Sequence, residues 1–193
     1  MHVDRYRNFA ELIGNEIQGK DFTTTLSRRD SSPIAIIAPH GGKIEPRTAE
    51  IASQIAGEDF NLYLFEGIKS KENYTALHIT SHHFDDPSCI ALLSSCETVV
   101  AIHGCTGTDE CVMLGGLDMS LKERIAVALQ TAGVQAKIHG HNFQAVDQYN
   151  ICNRGRTRQG VQLELTRALR ASGKEIRVVS AVRDVLLTIQ HGT

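Results

Sequence analysis

Four residues in this chain have the types and the placement for hydrolytic chemistry: His40, Glu45, His103 and Glu164. A catalytic zinc ion takes about three protein ligands from His, Glu or Asp and keeps a further position open for water. His40 and Glu45 stand five residues apart, too far for adjacent helical turns but right for a loop between a strand end and a helix start. His103 comes from a separate segment. Each histidine is followed by glycine, Gly41 and Gly104, which lets the backbone turn sharply and a ligand approach closely. Singly, each residue has a plainer reading. Glu45 could be an acid favoured by a helix dipole, and either histidine a hydrogen-bonded edge residue. Jointly they favour a metal.

Glu164 lies in VQLEL (161–165), where Gln162 and Glu164 share one strand face and Val161, Leu163 and Leu165 the other. A carboxylate on a central strand is costly to bury unless it has a partner or a task. One task is proton transfer: apolar neighbours raise its pKa toward neutrality, and it can then take a proton from water and return it to a leaving amine. The alternative is an edge strand with a solvated polar face. The loop leading into this strand carries Arg154, Arg156 and Arg158. Arginine grips carboxylates bidentately, so Arg154 and Arg156 are candidates for substrate binding, while Arg158 reads as a solvated turn residue. His82 and His83 follow another expected strand, and His83 is a further candidate substrate contact. His139 and His141 read as a turn, and His2 and His191 are terminal.

The elements that must position these residues alternate. Residues 34–38 (IAIIA) form an unbroken apolar run, the mark of a strand buried on both faces. Residues 47–56 read as a helix behind Pro46. Further strands are expected at 61–65, 77–80, 98–102, 134–138 and 161–165. Helices are expected at 87–96, from a Ser120/Glu123 capping box onward, and over 175–187. Strands separated by helices predict a single-domain α/β fold with a mixed, mostly parallel open sheet and helices on both faces. In such sheets, sites form beyond the carboxyl ends of the strands, where His40 and His103 both fall. Residues 1–33 read as an N-terminal appendage to a catalytic core at 34–193, with 26–32 the best candidate for disorder.

Composition sets bounds. The 193 residues are 41% hydrophobic and 22% charged, enough for a buried core. A net charge of −2 gives no general pull toward nucleic acid or an acidic membrane, and neither is expected as a partner. No apolar run is long enough to span a bilayer, and the N-terminus lacks the pattern of a signal peptide. Synthesis in the cytoplasm and a monomeric state are expected. The five cysteines form no CxxC pair and suit a reducing compartment, as core or loop residues.

Several segments resemble one family in order along the chain. These are PHGGKIEP (39–46), LHITSHHFDDP (77–87), AIHG (101–104) and the stretch from Asn153 and Arg154 through GVQLELT (160–166). Together they resemble the poly-γ-glutamate hydrolases, phage and bacillar zinc enzymes that cut γ-glutamyl amide bonds. The resemblance implies a zinc-carboxypeptidase-like fold, zinc on His40, Glu45 and His103, Glu164 as general acid/base, an anionic polymer as substrate, and release by host lysis if the source is a phage. The wider carboxypeptidase group uses a shorter His-x-x-Glu spacing than the one here. Competing readings are a peptidoglycan amidase or small deacylase, a non-catalytic polyanion-binding domain, and a Cys/His metal sensor.

Overall fold

The computed structural model describes residues 4–192. After the short helix α1 (Phe9–Ile13) come β1 (Phe22–Ser27), β2 (Ile34–Gly42), α2 (Thr48–Ala56), β3 (Asn61–Gly67), α3 (Asn73–Leu77) and α4 (Pro87–Leu93). The second half holds β4 (Thr98–Cys105), β5 (Cys111–Gly115), α5 (Met119–Thr131), β6 (Gln135–Lys137), β7 (Val161–Thr166), α6 (Arg167–Ala171) and α7 (Glu175–His191). A 3-10 turn at Ile151–Asn153 precedes β7.

The strands make one sheet in the order β1-β3-β2-β4-β7-β5-β6. The pairings β3–β2, β2–β4, β4–β7 and β5–β6 are parallel, while β1–β3 and β7–β5 are antiparallel. This is the mixed, mostly parallel sheet that the alternating elements imply. Its two faces are both covered, so its central strands are apolar on both sides. Ile34 and Ile36 of β2 pack toward α2, α5 and α7. Ala35 and Ile37, one residue out of phase, pack toward α1, α3, α4 and the 3-10 turn.

Several elements differ from their sequence expectation for identifiable reasons. Residues 77–80 do not form a strand: Leu77 ends α3 and His78 caps it in an extended conformation. Asn73 fixes this helix start by accepting a hydrogen bond from the Lys69 backbone at 2.9 Å. The helix expected at a Ser120 capping box begins earlier, because the Asp118 carboxylate takes the cap and accepts from the Leu121 amide. The strand β5, only five residues long, carries no alternation to reveal it. Nor does the stretch ahead of Ile34 stand apart. β1 pairs along its whole length with β3, and Phe9, Leu12 and Phe22 belong to the core. Residues 26–32 are tied in through Arg29, whose amide donates to Asn61 Oδ1 at 2.8 Å. All five cysteines are buried and free. Among the described residues, no helix is long and apolar enough to cross a membrane.

Candidate active site

Beyond the carboxyl ends of β2, β4 and β7 opens a cavity of about 710 Å³, lined by residues that include His40, Glu45, His78, His103, Gln162, Glu164, Arg167 and Arg170. Each arrives there by local necessity. The register of β2 against β3 slips between Ala38 and Gly41, an irregularity of the kind that re-aims a side chain. Past the slip, His40 lies edge-on to Phe84, on the α3–α4 side of the sheet. Gly41 and Gly42 permit this. A Cβ on Gly41 would sit 2.9 Å from Ala49 and Glu66, and Gly42 has φ 62° with the Gly67 carbonyl 2.6 Å from where a Cβ would be. The chain then closes on itself: the Glu45 amide donates to the His40 carbonyl at 2.9 Å, and the Thr48 hydroxyl donates to the Glu45 carbonyl at 2.8 Å. Residues separated along the loop thus become neighbours in space.

Three donors converge. His40 Nδ1 and His103 Nδ1 are 3.1 Å apart. Glu45 Oε1 is 3.3 Å from His40 Nδ1, and Glu45 Oε2 is 3.8 Å from His103 Nδ1. Four-coordinate zinc with bonds of about 2.0–2.1 Å holds its ligand atoms about 3.3 Å apart, close to the spacing found here. His40 Nε2 donates to the Ile79 carbonyl at 2.8 Å, which fixes the tautomer and leaves the Nδ1 lone pair facing the cluster. Two imidazole nitrogens facing each other beside a carboxylate need a cation or a shared proton between them. The donor set therefore fits a metal ion.

A fourth candidate donor, His78, has no distinguishing signal in the sequence. Its ring stacks on His40 with centroids 4.1 Å apart, and its Nε2 is 4.0 Å from Glu45 Oε1. His40, Glu45 and His78 also offer ligand atoms mutually within 4.8 Å. Asp4 Oδ1 accepts from His78 Nδ1 at 2.8 Å, the carboxylate–histidine arrangement that orients metal-ligating imidazoles. Asp4 Oδ2 also accepts from the Thr80 amide at 2.6 Å. His2 lies outside the described residues.

The electrostatics divide the two carboxylates. Burial works to raise the pKa of Glu45, but the adjoining His40 imidazole and the Gly104 amide, donating to Oε2 at 2.8 Å, hold it down to about 2. Burial lowers His103 to about 3 and His78 to about 4, in each case helped by His40. Burial also disfavours charge on His40, yet Glu45 outweighs it and raises the His40 pKa. Glu164 is pushed up to about 8, first by burial and then by the charge of Glu45. Its neighbour on β4 is His103, its register partner. Gln162 Nε2 donates to Glu164 Oε1 at 2.8 Å, and Asn150 Nδ2 donates to Gln162 Oε1 at 3.2 Å. A relay of two amides thus aims the carboxyl. The strand is central, between β4 and β5, so the reading of a solvated edge does not hold.

The structure does not bring Arg154 or Arg156 to this cavity. Arg156 is exposed and ion-pairs with Glu97 at 2.5 Å, while its amide donates to the Cys96 carbonyl, just ahead of β4. Arg154 caps the 3-10 turn, half-buried, with its charge felt at Cys89. Both lie at the amino ends of β4 and β7, the edge opposite the cavity. The arginines at the cavity are Arg167, exposed, and Arg170, buried. Likewise His82 lines the cavity and His83 does not; their rings lie 3.9 Å apart.

Fold and site together present a sheet edge with a His/Glu donor cluster beside a buried, aimed carboxylic acid. The chain belongs to the poly-gamma-glutamate hydrolase family, whose profile matches residues 6–177. It is 36% identical over 171 residues to the UPF0714 protein YndL of Bacillus subtilis (strain 168), an alignment covering 88% of this chain and 66% of YndL. It thus spans about two-thirds of the length of that relative. The structure of a bacteriophage poly-gamma-glutamate hydrolase superposes with a TM-score of 0.92 at 27% identity, covering 99% of this chain and all of that one, 100%. The zinc-free, apo form of YndL superposes with a TM-score of 0.87 at 29% identity, covering 97% and 99% of the two chains.

Proposed function

We propose that this chain hydrolyses γ-glutamyl amide bonds of poly-γ-glutamate, with a zinc ion held by His40, Glu45 and His103 and with Glu164 as general acid/base. The observation that carries the reading is the convergence of the two Nδ1 atoms, 3.1 Å apart, on the Glu45 carboxylate next to the register partner of His103. Family membership supports the substrate, and the zinc-free form known for YndL supports the choice of metal.

Bound zinc would supply Lewis acidity and lower the pKa of water toward about 7. The rest belongs to the chain. Glu45, ionised and anchored by the Gly104 amide, gives the cation a fixed charge partner. Glu164, aimed by Gln162, accepts the proton of the attacking water and then delivers it to the departing amine nitrogen. A carboxyl with its pKa raised by burial exchanges a proton near neutrality in either direction. Arg167, exposed on the cavity rim, is placed to meet a free α-carboxylate of the polymer.

Incubating the purified protein with poly-γ-glutamate and following polymer size by gel filtration tests the reading. Shortening is expected, abolished by a chelator and restored by zinc. Shortening that continues in the chelator-stripped protein, or an intact polymer alongside cleaved cell walls, overturns it.

A further inference from the structure

Arg170 is a buried arginine, 7% exposed, on α6 immediately beyond the strand that carries Glu164. Its guanidinium makes three hydrogen bonds, all to backbone carbonyls and each to a different segment. Nε donates to Leu165 O at 3.1 Å, Nη2 to Cys105 O at 3.1 Å, and Nη1 to Pro46 O. Leu165 directly follows Glu164, Pro46 directly follows Glu45, and Cys105 lies two residues after His103. One planar cation therefore ties together the three chain segments that deliver the acid/base and two of the metal donors.

Buried backbone carbonyls need hydrogen-bond partners, and a single guanidinium supplies one to each of Leu165, Cys105 and Pro46. Space for the tie is reserved: at Gly104 a Cβ would lie 2.6 Å from the Arg170 Cζ and 2.8 Å from its Nε. The same Gly104 holds Glu45 through its amide. The fixed fork of arginine can serve three carbonyls in one plane, which a lysine ammonium on a flexible stem cannot reproduce. Because the fork is committed to backbone, Arg170 differs in kind from the exposed Arg167.

We propose that Arg170 is the positioning residue of this centre: by gripping the carbonyls after Glu45, His103 and Glu164, it sets the spacing between the metal donors and the acid/base. The inference rests on the reading of the site as a zinc centre.

The test is a pair of variants of the full chain, Arg170→Lys and Gly104→Ala. Zinc affinity is measured by competition with a chromogenic chelator, and kcat and KM on poly-γ-glutamate are measured separately. Arg170→Lys keeps the charge and loses the fork, while Gly104→Ala keeps the arginine and displaces it. Loss of an outer partner to a metal site costs roughly 10- to 100-fold in affinity or activity. Both variants are expected to bind zinc more weakly by that factor and to lose kcat, with KM little changed. If Arg170→Lys does not fold, Gly104→Ala decides. A lowered Tm with wild-type zinc affinity and kcat would show an ordinary stabilising residue and overturn the proposal. A raised KM with unaltered zinc affinity would show a substrate contact and overturn it too. Should the wild type leave the polymer intact, the proposed function fails while the zinc-affinity arm still judges Arg170.

Discussion

His103 and Glu164 are register partners on the adjacent parallel strands β4 and β7, so the ring of one and the carboxyl of the other rise from the sheet side by side. This fixes a division of labour: His103 turns its Nδ1 to His40, while Glu164 is held from the other side by Gln162. Replacing Glu164 by Gln should therefore leave metal binding intact and remove proton transfer. We expect kcat to fall roughly a hundred- to ten-thousand-fold, with zinc content by atomic absorption unchanged. Full activity in that variant would sink the assigned role.

The same substitution should change stability in a pH-dependent way in the metal-free protein. The Glu164 pKa rises from an ordinary 4.5 to about 8 on folding. Below the unfolded value the carboxyl is neutral in both states. As pH rises toward 8, the unfolded chain ionises while the folded one holds its proton, so stability is lost. A glutamine side chain at this position cannot ionise. The variant should match wild type near pH 4 and exceed it near pH 9, by an amount on the order of a few kcal/mol, as thermal unfolding across that range will show. The depressed pKa of Glu45 acts oppositely, adding stability that fades only toward about 2, and it cancels between the two proteins.

Zinc affinity should weaken in acid, and His40 should govern the fall. Glu45, at about 2, and His103, at about 3, are already in their ligating forms at neutral pH, whereas Glu45 raises the His40 pKa. A proton on His40 competes directly with the metal. Affinity should drop by about tenfold per pH unit below the folded pKa of His40. Chelator competition across neutral and acidic pH measures this, and a flat profile would contradict it.

The arginines at opposite edges of the sheet make separable predictions. Arg167→Ala should raise KM for the polymer several-fold and flatten its dependence on salt. Arg156→Ala loses only an exposed pair with Glu97, worth about 1 kcal/mol at most, and should leave KM unaltered. Steady-state kinetics at two ionic strengths distinguishes them.

Much of the fold and site is legible in the sequence, and the failures have physical causes. His40 and His103 stand out because a buried strand runs into each and a glycine follows. Glu164 is visible from the period of two in VQLEL. The arginine loop points to the wrong edge because proximity in sequence to Glu164 is not proximity in space. A loop that enters a parallel strand lies at its amino end, and this site lies at the carboxyl ends. His78 escapes notice because the pattern around it suggests a strand, whereas it caps a five-residue helix held by Asn73. Its orienting partner, Asp4, is 74 residues away in sequence, beyond the reach of any local pattern. Arg170 reads locally as one more polar residue on a short helix, and its value comes only from three carbonyls brought together by folding.

The slip in β2 between Ala38 and Gly41 makes the site a matter of parity. Side chains along a strand alternate between two layers, and the slip adds the single offset that places His40 opposite the direction an unbroken strand would give it. A strand running through the same residues without that offset would keep every side chain of the proposed site in the sequence and send His40 into the helical layer of α2 and α7. A graft of this centre onto another sheet would have to carry the irregularity with it, because the odd residue, as much as the histidine, is what is being transferred.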